Sequence, residues 1–220
     1  MPVAKGIYTA RRQNGLFKQV KTLESLLADG FRLQKTPHVL LDQEEHIVAV
    51  LAGRPDDAGW DGVIDDATRL IADIGKACIF TDEQMYHRRG KFPALAMGVS
   101  YGGGQTAPGN LLHSKTNGMQ LHHLLHSKSI QRVAGFGSIA FTYYAPKLFQ
   151  NYAVHLGQLF NRHENLRWNF KNSIFPAATF NFSPKTVTLD HTDYNNIANG
   201  WCDIHAFGSF DHTCGGHLIL

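Results

Sequence analysis

Apolar and polar positions change their period along the chain, and the changes divide it into elements. Lys18 to Asp29 carries a helical pattern that Gly30 stops. His38 to Asp42 and His46 to Ala52 are strand-like runs around a polar Gln43-Glu44-Glu45 turn, closed by Gly53-Arg54-Pro55, and predict a hairpin. From Gly62 to Phe80 the period becomes helical, with Ile64, Ala67, Leu70, Ile71, Ile74 and Ala77/Cys78 on one stripe. Cys78 on that stripe reads as an apolar filler rather than a reactive thiol. Ala94 to Ser100 predicts a strand that enters the glycine-rich loop Gly102 to Asn110. Val133 to Arg162 reads as helix, broken near Pro146. Its aromatic density (Phe136, Phe141, Tyr143, Tyr144, Phe149, Tyr152, Phe160) suits a buttress packed on a sheet. Beyond Trp168 the period is two. Ala177 to Phe182 ends at Ser183-Pro184, Lys185 to Leu189 follows, and Cys202 to Phe207 alternates again before the Gly215-Gly216 turn and a last apolar run.

These elements predict an α+β protein. Helices at about 62–80 and 133–162 should pack on an antiparallel sheet drawn mainly from 94–100 and 174–220. A chain of 220 residues suggests one domain, here 37–220, with an N-terminal segment, 1–36. With 43% hydrophobic and 18% charged residues it is globular in composition, not disordered. A formal net charge of +3 permits a polyanionic partner without arguing for one. Arg11, Arg12, Lys18 and Lys21 suit a solvated face better than a nucleic-acid contact. Three cysteines do not make a secreted disulfide framework. No N-terminal apolar segment and no run approaching ~18 apolar residues is present. The expectation is a soluble, intracellular protein with no membrane partner; nucleus and cytosol are not distinguished, nor is the oligomeric state.

Candidate chemistry collects in four places. The triple glycine lacks the Gly-Lys-Ser/Thr ending of a phosphate loop, so a tight loop approached by another backbone is the better reading. His113, His122, His123 and His126 cluster, and His122 and His126 stand at i and i+4, but no Glu completes H-E-x-x-H; a polar helix surface suits them better than a metal. Cys202, His205, His212 and Cys214 are acceptable zinc ligands, yet Cys202 and His205 have opposite parity on an extended run. The fourth is His191-Thr192-Asp193, the one H-x-[D/E] in the chain. On an extended strand it presents an imidazole and a carboxylate on one face, two thirds of a 2-His-1-carboxylate site for Fe(II).

The surroundings of His191/Asp193 carry a resemblance. The order H-x-D, N-x-x-x-G-x-C, G-x-F-D and G-G-[HE]-L is met by His191/Asp193, Asn196/Gly200/Cys202, Gly208/Phe210/Asp211 and Gly215/Gly216/His217/Leu218. It continues upstream through RWNFKNSIFPAATFNFSP and GVSYGGGQTAPGN, so it spans roughly residues 37 to 220. The stretch resembles the TET/JBP-like Fe(II)/2-oxoglutarate dioxygenases, most closely fungal members of basidiomycete type. The resemblance implies an incomplete double-stranded β-helix, a jelly-roll or cupin-like sheet with buttressing helices. It implies Fe(II) on His191 and Asp193, 2-oxoglutarate as cosubstrate, and a nucleic-acid base or similar molecule as substrate, everted into a pocket where the base lies in a duplex. Related oxygenases place an amide that contacts the cosubstrate on the preceding strand, which singles out Asn181.

In that family further strands follow the G-G-[HE]-L element and hold the distal metal histidine and the arginine that grips the far carboxylate of 2-oxoglutarate. This sequence ends at Leu220, before that region. Two expectations of different class follow. One is a dioxygenase domain fragment, with little or no turnover as the 220-residue chain. The other is a catalytically dead relative serving as a binding or interaction module, or without function. An open frame downstream of Leu220 encoding a distal His and an Arg discriminates them.

Overall fold

Local side-chain chemistry sets most element ends. A computed structural model describes residues 22–33, 36–101, 105–182, 186–189, 200–211, 213–215 and 218. Helix α1, Leu23–Ala28, starts where the Thr22 hydroxyl accepts the Ser25 N–H and is followed by Gly30 at φ 91°. Strands β1, His38–Leu41, and β2, Ile47–Leu51, form the expected antiparallel hairpin. The Asp42 carboxylate shapes its turn by accepting the backbone N–H groups of Glu44 and His46 at 2.8 and 2.9 Å. These bonds hold the Asp42 carboxyl below its ordinary range, the His46 backbone bond being the largest cause.

Helix α2, Trp60–Ala77, realises the sequence stripe and buries Trp60, Val63, Ala67 and Ile74. Cys78 caps it and packs against the core, where burial pushes its thiol pKa up. A capping box between Thr81 and Gln84 opens the short helix α3, Asp82–Met85. A small hairpin follows, β3, Tyr86–His87, with β4, Gly90–Lys91. Then come β5, Ala94–Ser100; β6, Gly109–Asn110; α4, Lys115–His126; α5, Lys128–Tyr144; α6, Pro146–Arg162; and β7, Ala177–Asn181. The region read as one broken helix from 133 to 162 therefore begins at Lys128 and divides at Ala145. Pro146 opens α6 because its missing N–H falls where a helix leaves donors unbonded.

The largest sheet has the order β6-β5-β7, all antiparallel, with Leu95 opposite Phe180 and Ala94 opposite Asn181. Directly paired residues share a face. One face carries Leu95, Met97, Ala178 and Phe180, which join Ala67, Ile74, Leu121, Leu124, Leu125 and Ile130 from α2, α4 and α5 in the main core. The other face carries Ala94, Ala96, Gly98, Ala177, Thr179 and Asn181. The architecture is α+β, a helical layer against one face of a small antiparallel sheet. None of the sheets of the described residues is closed.

The expected strand at Cys202–Phe207 is a correction. Residues 200–211 form no ladder, although the alternation they were read from is real. The segment lies extended across helices instead of beside a strand. Trp201 stacks on Phe141 at 5.6 Å, and its backbone N–H donates to the Tyr152 hydroxyl at 3.2 Å. Phe207 joins the core, and the Gly208 N–H donates to the Thr68 hydroxyl at 3.2 Å. Side chains of α2 and α6 satisfy backbone groups that a neighbouring strand would otherwise pair.

Buried Asn117 on α4 ties the helical layer to the loop after α2. Its carbonyl accepts the Ile79 N–H at 2.9 Å and its amide donates to the Ile79 carbonyl at 2.7 Å. Asn117→Leu should destabilise the protein by about 1–3 kcal/mol, because two hydrogen bonds to Ile79, each worth about 0.5–1.5 kcal/mol, are lost. Urea unfolding should show a lower midpoint at an unchanged slope.

Candidate metal and cosubstrate site

The sheet face away from the helices is where chemistry can gather. β7 delivers Asn181 to that face while its neighbours Phe180 and Phe182 plunge into the core. The Asn181 Oδ1 is buried and has no hydrogen-bond partner among the described residues. A strand-ending side-chain bond, the ordinary use of such a residue, is therefore not made by that oxygen.

The chain beyond β7 passes the β3–β4 hairpin. The Leu189 N–H donates to the Arg89 carbonyl at 2.7 Å. A Cβ on Gly90, whose φ is 151°, would sit 3.0 Å from the Val187 carbonyl and 2.8 Å from the Phe92 ring. Glycine is what lets the hairpin lie that close to 186–189. His191 and Asp193, the expected metal ligands, lie outside the described residues, two and four positions past Leu189.

His87 sits at the base of this hairpin. Its ring packs edge-on to Phe92 at 4.7 Å, Nε2 bonds to the Phe92 carbonyl at 2.9 Å, and Nδ1 is buried without a partner among the described residues. Burial holds its pKa below the ordinary histidine value, and the guanidinium of Arg89 and, more weakly, that of Arg88 push the same way. A histidine depressed in the folded state stabilises the fold above its unfolded pKa of about 6.5, and that stability is lost as pH falls through the folded value. Amide exchange at Leu189 should accordingly quicken as pH drops below about 6.5, beyond the intrinsic pH trend, and His87→Gln should remove the extra acceleration.

The other histidines and cysteines are used differently. His113 Nε2 bonds to the Ala96 carbonyl at 2.8 Å. His122 and His126 stack on the exposed side of α4 at 3.9 Å, and His126 Nδ1 bonds to the His122 carbonyl at 2.9 Å. Of the zinc alternative, Cys202 is exposed, while His205 turns inward and pairs with Asp203 at 2.7 Å. The Cys214 thiol donates to Asp211 at 3.2 Å, and His212 lies outside the described residues. Among the described residues no three His, Cys, Asp or Glu side chains gather as a metal site. No helix among them is long and apolar enough to cross a membrane. Gly102 to Gly104 lie outside the described residues.

Two features escaped the sequence reading. The His87-Arg88-Arg89-Gly90 turn left a signal in turn chemistry, since Arg88-Arg89 followed by a glycine separates the pairs Tyr86–His87 and Gly90–Lys91. The Asp203–His205 pair was not, because parity alone says which face a residue takes and not what it meets. Comparison with protein-family models, with curated proteins and with solved structures finds no match to this chain.

Proposed function

We propose that the chain carries the His-x-Asp arm of a TET/JBP-like Fe(II)- and 2-oxoglutarate-dependent dioxygenase domain on a double-stranded β-helix plan. The observation that supports this reading is Asn181. It stands on the sheet face opposite the helical buttress, with a buried, unpartnered side-chain oxygen. A β-helix uses that face as its inner surface, and a buried polar atom there calls for a partner. A half-turn of the amide exchanges its oxygen for its nitrogen, so the position can present the donor that a carboxylate needs.

In this reading the His191 imidazole and the Asp193 carboxylate would hold Fe(II), a donor set suited to that metal with open positions for cosubstrate. Bound iron supplies the oxygen and redox chemistry that converts 2-oxoglutarate to succinate while hydroxylating a C–H bond. Asn181 orients the cosubstrate carboxylate. The helices α2, α4 and α5 keep β5 and β7 rigid behind it, as a preorganised site requires. The substrate class belonging to this reading is a nucleic-acid base or a molecule like it.

Calorimetric titration with Mn(II), a redox-silent stand-in for Fe(II), tests the ligands. Weak binding is expected that disappears in His191→Ala and in Asp193→Ala and survives Cys202→Ser. Binding that persists in both single variants would sink the assignment. Zinc binding abolished by Cys202→Ser would support the Cys202/His205/His212/Cys214 set in its place.

A further inference from the structure

The solvent face of α4 plays no part in the proposed function. Leu121, Leu124 and Leu125 turn into the core, while Met119, His122 and His126 are exposed. Their spacing, i, i+3 and i+7, puts the three on one face of the helix. Met119 is 53% exposed, whereas Met85 and Met97, the other described methionines, are half-buried.

The two histidines are arranged as a chelating pair. Their rings lie at 26° to each other with centroids 3.9 Å apart. Two nitrogens sharing one ion, each about 2 Å from it, stand no more than about 4 Å apart, so the stacked rings already fall within that span. His126 Nδ1 bonds to the His122 carbonyl at 2.9 Å. A carbonyl can only accept, so Nδ1 of the neutral ring carries the proton and the Nε2 lone pair is left for an ion. Metal-binding histidines are commonly held in this way, with the other ring N–H on a backbone carbonyl. The His122 ring nitrogens bond to no described residue. Side chains on a helix lean towards its N-terminus. His126 accordingly covers His122, and the same lean carries the His122 ring over the turn that holds Met119.

We propose that Met119, His122 and His126, on the exposed face of α4, bind a Cu(I) ion. The donors are two imidazoles and a thioether, and no carboxylate or thiolate of a described residue joins the histidines. That set is neutral and soft. A thioether selects Cu(I), and imidazole suits copper as well as zinc. Hard ions such as Mg(II) and Mn(II) seek oxygen donors, and a structural zinc site needs four ligands where this face offers three. Cu(I) is satisfied by three. The site is independent of the dioxygenase reading, since none of its residues serves His191, Asp193 or Asn181.

The probe is Cu(I) alone, kept reduced under anaerobic conditions and titrated into the full chain. Cys202→Ser and Cys214→Ser are introduced first, because those exposed thiols would compete for a soft ion. Methyl NMR reads the site directly. The Met119 methyl signal should shift and saturate at one equivalent of Cu(I), while the Met85 and Met97 signals stay in place. Zn(II) should leave the Met119 methyl unmoved. His122→Gln and His126→Gln should each abolish the Cu(I) response. Met119→Leu, which keeps the bulk of the side chain, should lose most of the Cu(I) affinity, measured by competition with a chromogenic Cu(I) chelator, and none of the affinity for Zn(II). His123→Gln should bind Cu(I) as before, because consecutive residues on a helix do not face each other. Circular dichroism of each variant confirms that it is folded. A Met119 methyl that ignores Cu(I) overturns the assignment, as does Cu(I) affinity that is unchanged in folded His122→Gln or folded Met119→Leu. Tighter binding of Zn(II) than of Cu(I) would overturn the choice of ion.

Discussion

Gly98→Ala should strongly destabilise the sheet that carries the candidate site. Gly98 lies in β5 at φ 118°, a conformation that side chains avoid. A Cβ there would press into the Pro176 carbonyl, well inside van der Waals contact, and stand 2.7 Å from both the Ala177 Cα and the Asn169 Nδ2. Neither backbone neighbour can retreat, because the Val99 N–H donates to that same Pro176 carbonyl at 2.9 Å and Ala177 is paired with Gly98 in the ladder. Backbone strain of about 1–2 kcal/mol adds to about 1–3 kcal/mol of overpacking, so a loss of about 2–5 kcal/mol is expected. Against a total stability of about 5–15 kcal/mol that is a large fraction. Equilibrium denaturation measures it. A companion readout is the amide exchange of Phe182, whose N–H is bonded to the Pro93 carbonyl at 2.8 Å just beyond the ladder. An alanine variant as stable as the wild type would mean that the β5–β7 register is not the one described.

The second large effect should come from the helical layer. Leu124 is 0% exposed and belongs to the cluster that joins α4 to α2, α5 and the sheet. Leu124→Ala removes three carbons from a site with nothing ready to collapse into it. Substitutions of this kind cost about 2.7–5 kcal/mol. For a domain of this size each kcal/mol moves the melting temperature by about 2–4 °C, so a fall of about 5–20 °C is expected by calorimetry. Ile139→Ala on α5, 69% exposed, is the control and should move it little. Equal effects of the two substitutions would show that the α4 face is not the core.

Much of the architecture could be read from residue order. The helical stripe of α2, the 38–51 hairpin, the strands β5 and β7 and the break at Pro146 all follow from short-range rules: apolar period, turn residues, and the missing N–H of proline. Such rules act within a few residues, so a sequence displays them directly. The same rules misled at Cys202–Phe207. Alternation there records one buried and one exposed side, and it does not record whether the buried side meets a strand or helices. Trp201 on Phe141 and the Tyr152 hydroxyl on the Trp201 backbone decide that question, across separations of 60 and 49 residues.

The candidate site divides in the same way. His191 and Asp193 are a purely local pattern, one imidazole and one carboxylate at the spacing that shares a strand face. Asn181 was picked out by chain order and by polarity within an apolar run. That its carboxamide faces away from the helical core follows only once Phe180 and Phe182 are seen packed into that core. That the β3–β4 turn lies beside 186–189 follows only from one backbone hydrogen bond, from the Leu189 N–H to the Arg89 carbonyl, across 100 residues. Sequence by itself determined which residues can do chemistry and the local structure that presents them, because backbone preferences and side-chain donors are properties of short segments. Tertiary structure alone decided which of them meet, because pairing of distant segments depends on burial and hydrogen-bond satisfaction summed over the whole fold.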